Sequence, residues 1–134
     1  MRKRILVVTQ HFWPENFRIN DIVEGFLDDG IEVDVLCGLP NYPKGEWFDG
    51  YDSHGPFEEH YRTANVYRCK EIPRKGNTAV RIFLNYVSWP WNARWALSRL
   101  PGGYDAVFCF NTSPVLMCWP AVVYAEKHHI PCVN

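Results

Sequence analysis

The stretch ILVVTQHFWPENFRINDIVEGFLDDGIEVDVL (residues 5–36) decides the fold. Ile5 to Thr9 is a short, continuous apolar run, the form of a strand buried on both faces of a parallel sheet. A polar loop, Gln10 to Phe17, follows it. Ile19, Ile22, Val23, Phe26 and Leu27 then recur at i, i+3, i+4, i+7 and i+8, which is one apolar stripe of a helix. Asn16 is placed to cap the start of that helix, and Gly30 supplies the left-handed residue that ends it. Ile31, Val33, Val35 and Leu36 make a second strand. Strand, crossover helix and strand within about 30 residues form a parallel, right-handed unit.

Downstream, the pattern stops from Gly38 to Phe57. GLPNYPKGEWFDGYDSHGPF has neither helical nor alternating period, and a loop of that length in a compact domain is usually functional or mobile. Glu59 to Arg62 and Val66 to Cys69 read as two short strands joined by Thr63-Ala64-Asn65, with Asn65 in the turn. Asn77 to Leu100 is a helical region with two apolar stripes. Val80, Phe83, Leu84, Val87, Trp91 and Trp95 form one; Ile82, Tyr86, Trp89, Ala93, Ala96 and Leu100 form the other. Pro90 is expected to kink or break this helix at Trp89. Asp105 to Phe110 is a further core strand. Ser113 as N-cap and Pro114 at the first helical position open a helix that reaches about His128. Ile130 to Val133 is a last strand. These elements make an α/β fold, an open, mainly parallel sheet with helices on both faces. With Asn134 at or just after a strand, such a sheet lacks a covering helix and a second domain. Residues 1–134 are therefore expected to be a single-domain fragment, or a chain whose other half is another polypeptide.

Composition narrows the function classes. The chain has 134 residues, 47% apolar and 22% charged, which is ordinary for a globular domain. Its 14 Lys and Arg against 15 Asp and Glu give a formal net charge of -1, without the basic excess of a general nucleic-acid binder. Apolar stretches break well short of the roughly 18 residues of a membrane span. Met1-Arg2-Lys3-Arg4 imitates the start of an export signal, but the apolar run behind it is only Ile5 to Val8. A cytoplasmic location is expected. Cys37, Cys69, Cys109, Cys118 and Cys132 contain no C-x-x-C pair, and the five His have no ligand spacing, so neither a metal nor a cofactor is expected.

In an open parallel sheet, ligands bind beyond the carboxyl ends of the strands. The polar residues expected there are His11, Glu15, Asn16, Arg18, Asn20, Asn41, Tyr42, Asn111, Thr112 and Ser113. Helix-start amides there suit an anion, and Arg18 adds a fork of donors. Dinucleotide binding is disfavoured, because no glycine lies between the first strand and the helix and the second strand ends in Cys37-Gly38 rather than an acid. Each candidate also has a structural reading. Glu15 and Arg18 suit a surface ion pair, and His11 suits packing on a neighbouring loop. Asn111-Thr112-Ser113 suits helix capping, and His128 and His129 suit a helix C-terminus. Trp89, Trp91 and Trp95, interleaved with Arg81, Arg94 and Arg99, suit either burial between layers or contact with a membrane surface.

Taken together, Phe12-Trp13-Pro14-Glu15-Asn16-Phe17-Arg18-Ile19-Asn20-Asp21 and Gly38-Leu39-Pro40-Asn41-Tyr42-Pro43-Lys44-Gly45 resemble the N-terminal half of a bacterial family 4 glycosyltransferase. The similarity runs from Ile5 to Asn134 and points to the enzymes of capsule, O-antigen (lipopolysaccharide) and colanic acid synthesis, including fucosamine-transferase-like proteins. It implies the GT-B architecture, two Rossmann-like domains across a cleft, of which this chain is the acceptor-binding one and the donor-binding C-terminal domain is absent. It implies a retaining, metal-independent reaction with a sugar nucleotide as donor and a lipid-linked or other saccharide as acceptor. On this likeness Pro14, Glu15, Asn16 and Arg18 face the donor diphosphate, while His11, Asn20, Asn41, Tyr42 and Asn111 to Ser113 serve the acceptor side. The chain departs from many relatives in having no glycine pair in the first loop and Asn111 where they place a catalytic histidine, so no catalytic residue is assigned. Without the opposite wall of the cleft the chain alone is expected to be inactive; the aromatic helical region leaves peripheral attachment at the inner membrane face open, and an unfinished sheet edge leaves a homodimer open. A non-catalytic membrane-anchoring or acceptor-binding subunit of a two-chain glycosyltransferase is the alternative, followed by a flavodoxin-like small-molecule domain.

Overall fold

A computed structural model describes residues 3–15, 17–39, 48, 50–51, 57–69, 79–110 and 119–133, apart from the side chains of Arg81, Ile82, Asn85 and Tyr86. Among these residues the chain runs β1 (Arg4–Thr9), α1 (Arg18–Asp28), β2 (Glu32–Gly38), β3 (Glu58–Tyr61), β4 (Ala64–Cys69), α2 (Ala79–Leu97), β5 (Ala106–Phe110), α3 (Trp119–His128) and β6 (Cys132–Val133). The strands form one sheet in the order β3-β4-β2-β1-β5-β6. Every pairing is parallel except β3 with β4. The fold is an open, mainly parallel, Rossmann-like α/β sheet with helices on both faces.

Period-two alternation divides the strands between two cores. Val7, Val33, Val35 and Val66 turn to the face covered by α1, where they meet Ile19 and Val23. Leu6, Val8, Leu36 and Val107 turn to the face covered by α2 and α3, against Trp89, Ala93, Ala121 and Tyr124. The α1 stripe thus does what its spacing requires. Gly30, at φ 80°, ends the helix: its amide donates to Leu27 O and the amide of Ile31 to Phe26 O, closing a Schellman motif. At the other end, Phe17 is the extended cap residue and makes no side-chain cap bond, whereas Asn16 was expected in that role and lies outside the described residues.

Two expectations are corrected. The β3–β4 turn is Arg62-Thr63, with Arg62 at φ 54°, and Ala64 and Asn65 already belong to β4. Asn65 is held in the strand because its Nδ2 donates to Asp34 Oδ1 of β2 at 3.0 Å. Of the kink or break expected at Pro90, the break does not occur: α2 runs continuously through it. A proline removes one helical hydrogen bond. Burial of Trp89, Pro90, Ala93, Ala96 and Leu97 along the sheet holds the helix together on both sides of that gap.

The topology positions the site. From β1 the chain steps outward to β2 and then to β4, and α2 carries it back across the sheet to β5, on the other side of β1. The direction reverses at β1, so the crevice outside the carboxyl ends of β1 and β5 is the switch point at which such sheets bind ligands.

Candidate functional site

The segment leaving β1 turns immediately. Thr9 Oγ1 donates to His11 O at 2.9 Å, and the amide of Gly38, at the end of β2, donates to Gln10 O at 2.9 Å. These bonds stitch the loop to the carboxyl ends of two strands. Phe12 is fully buried in the α1-side core, and the Glu15 amide closes a turn onto Phe12 O at 3.0 Å. The Glu15 side chain is consequently drawn inside, with no exposed surface.

A buried carboxylate requires donors. His11 supplies one: its Nδ1 lies 3.2 Å from both Glu15 oxygens, and its ring stacks on Phe17 at 4.8 Å with a 6° interplanar angle. An ionised carboxylate only accepts, so in this contact His11 Nδ1–H is the donor. Asn20 Nδ2 donates to the Glu15 carbonyl at 2.7 Å, while its Oδ1 is buried without a partner. Of the residues expected at the site, His11, Glu15 and Asn20 are therefore brought into one cluster, beside a half-buried Pro14. Arg18 is exposed at the first position of α1, on the same rim. Asn16, Asn41, Tyr42, Asn111, Thr112 and Ser113 lie outside the described residues. Glu15 is not the surface ion-pair residue of its structural reading.

Arg68, near the end of β4, fastens this loop from the side. Its Nε donates to Glu59 Oε1 at 2.7 Å and its Nη1 to Gly38 O at 2.9 Å. Its Nη2 donates to Trp13 O, so one guanidinium joins the hairpin, β2 and the first loop. Tyr51 donates to Glu59 Oε1 at 2.8 Å and lies under the guanidinium, its ring centroid 5.2 Å away. Burial, and then the hydrogen bond to Glu59, push the Tyr51 hydroxyl up to about 12. On β2, Asp34 accepts from Arg4 at 2.9 Å, Tyr104 at 2.6 Å and Asn65 at 3.0 Å. Burial, followed by the bond to Asp34, raises the Tyr104 hydroxyl well above the usual phenol range. Sequence reasoning missed Arg68 and Asp34; their signal was a charge flanked on both sides by apolar or aromatic residues within a short strand.

The aromatic helix requires a correction. Trp89 was expected to face a membrane together with Trp91 and Trp95, but it is completely buried in the core beneath α2. Trp91 and Trp95 are 55% and 57% exposed, and they continue a stripe through Val80 (67%), Phe83 (64%) and Val87 (38%). The two tryptophans meet edge to face at 6.4 Å. Among the described residues no helix is long and apolar enough to cross a membrane, and no three His, Cys, Asp or Glu gather as metal ligands. No family model matches the chain, and no curated protein is significantly similar to it.

Proposed function

We propose that the chain is the acceptor-side, Rossmann-like domain of a retaining, sugar-nucleotide-dependent glycosyltransferase of bacterial surface polysaccharide synthesis, working at a membrane surface. The observation that carries this reading is the placement of residues 10–15, the described part of the loop that follows β1. It lies at the switch point, pinned by Arg68 and Gly38, with the buried His11–Glu15 pair at its base and Arg18 exposed beside it. A rigid loop of this kind holds polar groups against an anionic, sugar-bearing ligand without an ordering cost at binding. Arg18 supplies a planar donor pair for a diphosphate oxygen. Stabilising a leaving nucleoside diphosphate requires a second wall of the cleft, so the acceptor side contributes binding rather than leaving-group stabilisation. The exposed stripe of α2 supports attachment to the lipid surface at which such acceptors reside.

Titration calorimetry of the full chain with a water-soluble prenyl-diphosphate-linked sugar and, separately, with nucleoside-diphosphate sugars tests the assignment. The lipid-type ligand is expected to bind saturably and to weaken at least about tenfold in Arg18→Ala, a charge-assisted contact of about 1.5–3 kcal/mol. Nucleotide sugars are expected to bind more weakly than the prenyl ligand. Tight nucleotide-sugar binding with no response to the prenyl ligand would overturn it.

A further inference from the structure

The exposed stripe of α2 borders a second feature, a cleft of about 340 Å³ between α2 and α3. Its apolar lining includes Leu97, Val123 and Tyr124, its cationic lining is Arg94 and Lys127 with the His128 imidazole beside them, and there is no acid among the described residues that line it. Glu126, the only acidic residue of α3, is not part of the lining, and α2 contains no acidic residue at all. The Arg94 guanidinium lies over the rings of both Trp95 (5.7 Å) and Trp119 (5.4 Å), so the cation bridges the apolar stripe and the cleft. An apolar lining with cationic groups beside a row of exposed indoles is complementary to an amphiphile that carries a phosphate. It is unsuited to a neutral sugar, which needs paired donors and acceptors.

We infer that this cleft receives the phosphate headgroup of an anionic membrane lipid, with Trp91, Trp95 and Phe83 resting in the interface beside it. Indole rings favour the headgroup level, and guanidinium and ammonium groups are drawn to anionic leaflets. The inference deepens the membrane contact of the proposed function and is independent of any sugar or diphosphate chemistry.

The experiment is co-sedimentation of the full chain with vesicles of phosphatidylcholine alone or mixed with phosphatidylglycerol, at one ionic strength. The wild type is expected to prefer the anionic vesicles. Arg94→Gln and Lys127→Gln each lower that preference about fivefold, the equivalent of about 1 kcal/mol per basic residue at an anionic surface. Both side chains are exposed, so circular dichroism melts remain as in the wild type. Trp91→Ser with Trp95→Ser lowers binding to both vesicle types. A single-charge control, Arg62→Gln in the β3–β4 turn at the β3 edge of the sheet, removes a cation away from the cleft and leaves the preference in place.

Equal losses in the control would mean an unspecific field, and an unchanged preference in the Arg94→Gln, Lys127→Gln double variant would mean the cleft is not the site; either result overturns the inference. Prenyl-diphosphate sugar binding is measured without vesicles, so its outcome reports on the proposed function separately.

Discussion

A guanidinium is costly to bury unless each of its donors finds an acceptor, and Arg68 is an arginine for that reason. Its fork reaches a carboxylate, a strand-end carbonyl and a loop carbonyl together. Arg68→Ala is expected to cost about 3–5 kcal/mol in urea unfolding, because Glu59 loses its cation and two carbonyls lose their donor. Arg68→Lys recovers only part of this, since a single ammonium cannot span the same three acceptors. Amide exchange in residues 10–15 should quicken in both variants. None of this was legible beforehand. The strand pattern of VYRC states which way Arg68 points, but its two carbonyl acceptors lie 30 and 55 residues away, and only the folded topology brings them to it. Asp34 has the same history, with Tyr104 arriving from 70 residues downstream. His11 and Glu15 were legible as site residues because four residues on one loop already confine them. Their burial was not, because it depends on Phe12 entering the core.

Along α2 the two apolar stripes were legible and their roles were not. Trp89 and Trp91 stand two residues apart, about 200° around a helix, and therefore cannot share a face. Trp89, Ala93 and Ala96 of one stripe turn to the sheet, and Phe83, Val87, Trp91 and Trp95 of the other are left outside. Trp89→Ala is expected to cost about 3–5 kcal/mol by chemical denaturation, the range for truncating a buried aromatic. Trp91→Ser and Trp95→Ser are each expected to stay within about 0.5 kcal/mol of the wild type. Comparable losses at all three positions would mean that the outer stripe is covered in solution. The hairpin shows a similar limit: Arg62 took the left-handed turn position that Asn65 was expected to hold, because Asp34 claims Asn65 from the neighbouring strand.

For the molecule as a whole, the parallel α/β architecture was readable from residues 5–36, where helical and strand periods follow one another and handedness leaves one solution. Its global stability carries the mark of the buried phenols. Tyr51 and Tyr104 hold their protons more tightly when folded than an ordinary phenol does. The unfolded chain therefore releases protons first as pH passes about 10, and it binds fewer than the native state above that point. Stability from these groups is fully present below about pH 10 and declines through pH 12. Tyr104→Phe is expected to flatten the fall by about 1.4 kcal/mol per pH unit, one proton's worth, as read from denaturation curves at pH 10 to 12; an unaltered slope would mean Tyr104 titrates alike in both states. The sheet order has a consequence for synthesis on the ribosome. Arg4, at the start of the innermost strand, receives the Asp105 amide on its carbonyl and gives its own amide to the Asp105 carboxylate, across 101 residues. At about 5–20 residues per second, a nascent polypeptide spends roughly 5–20 seconds with one flank of that strand bare, an interval in which a ribosome-bound chaperone has an open edge to shield.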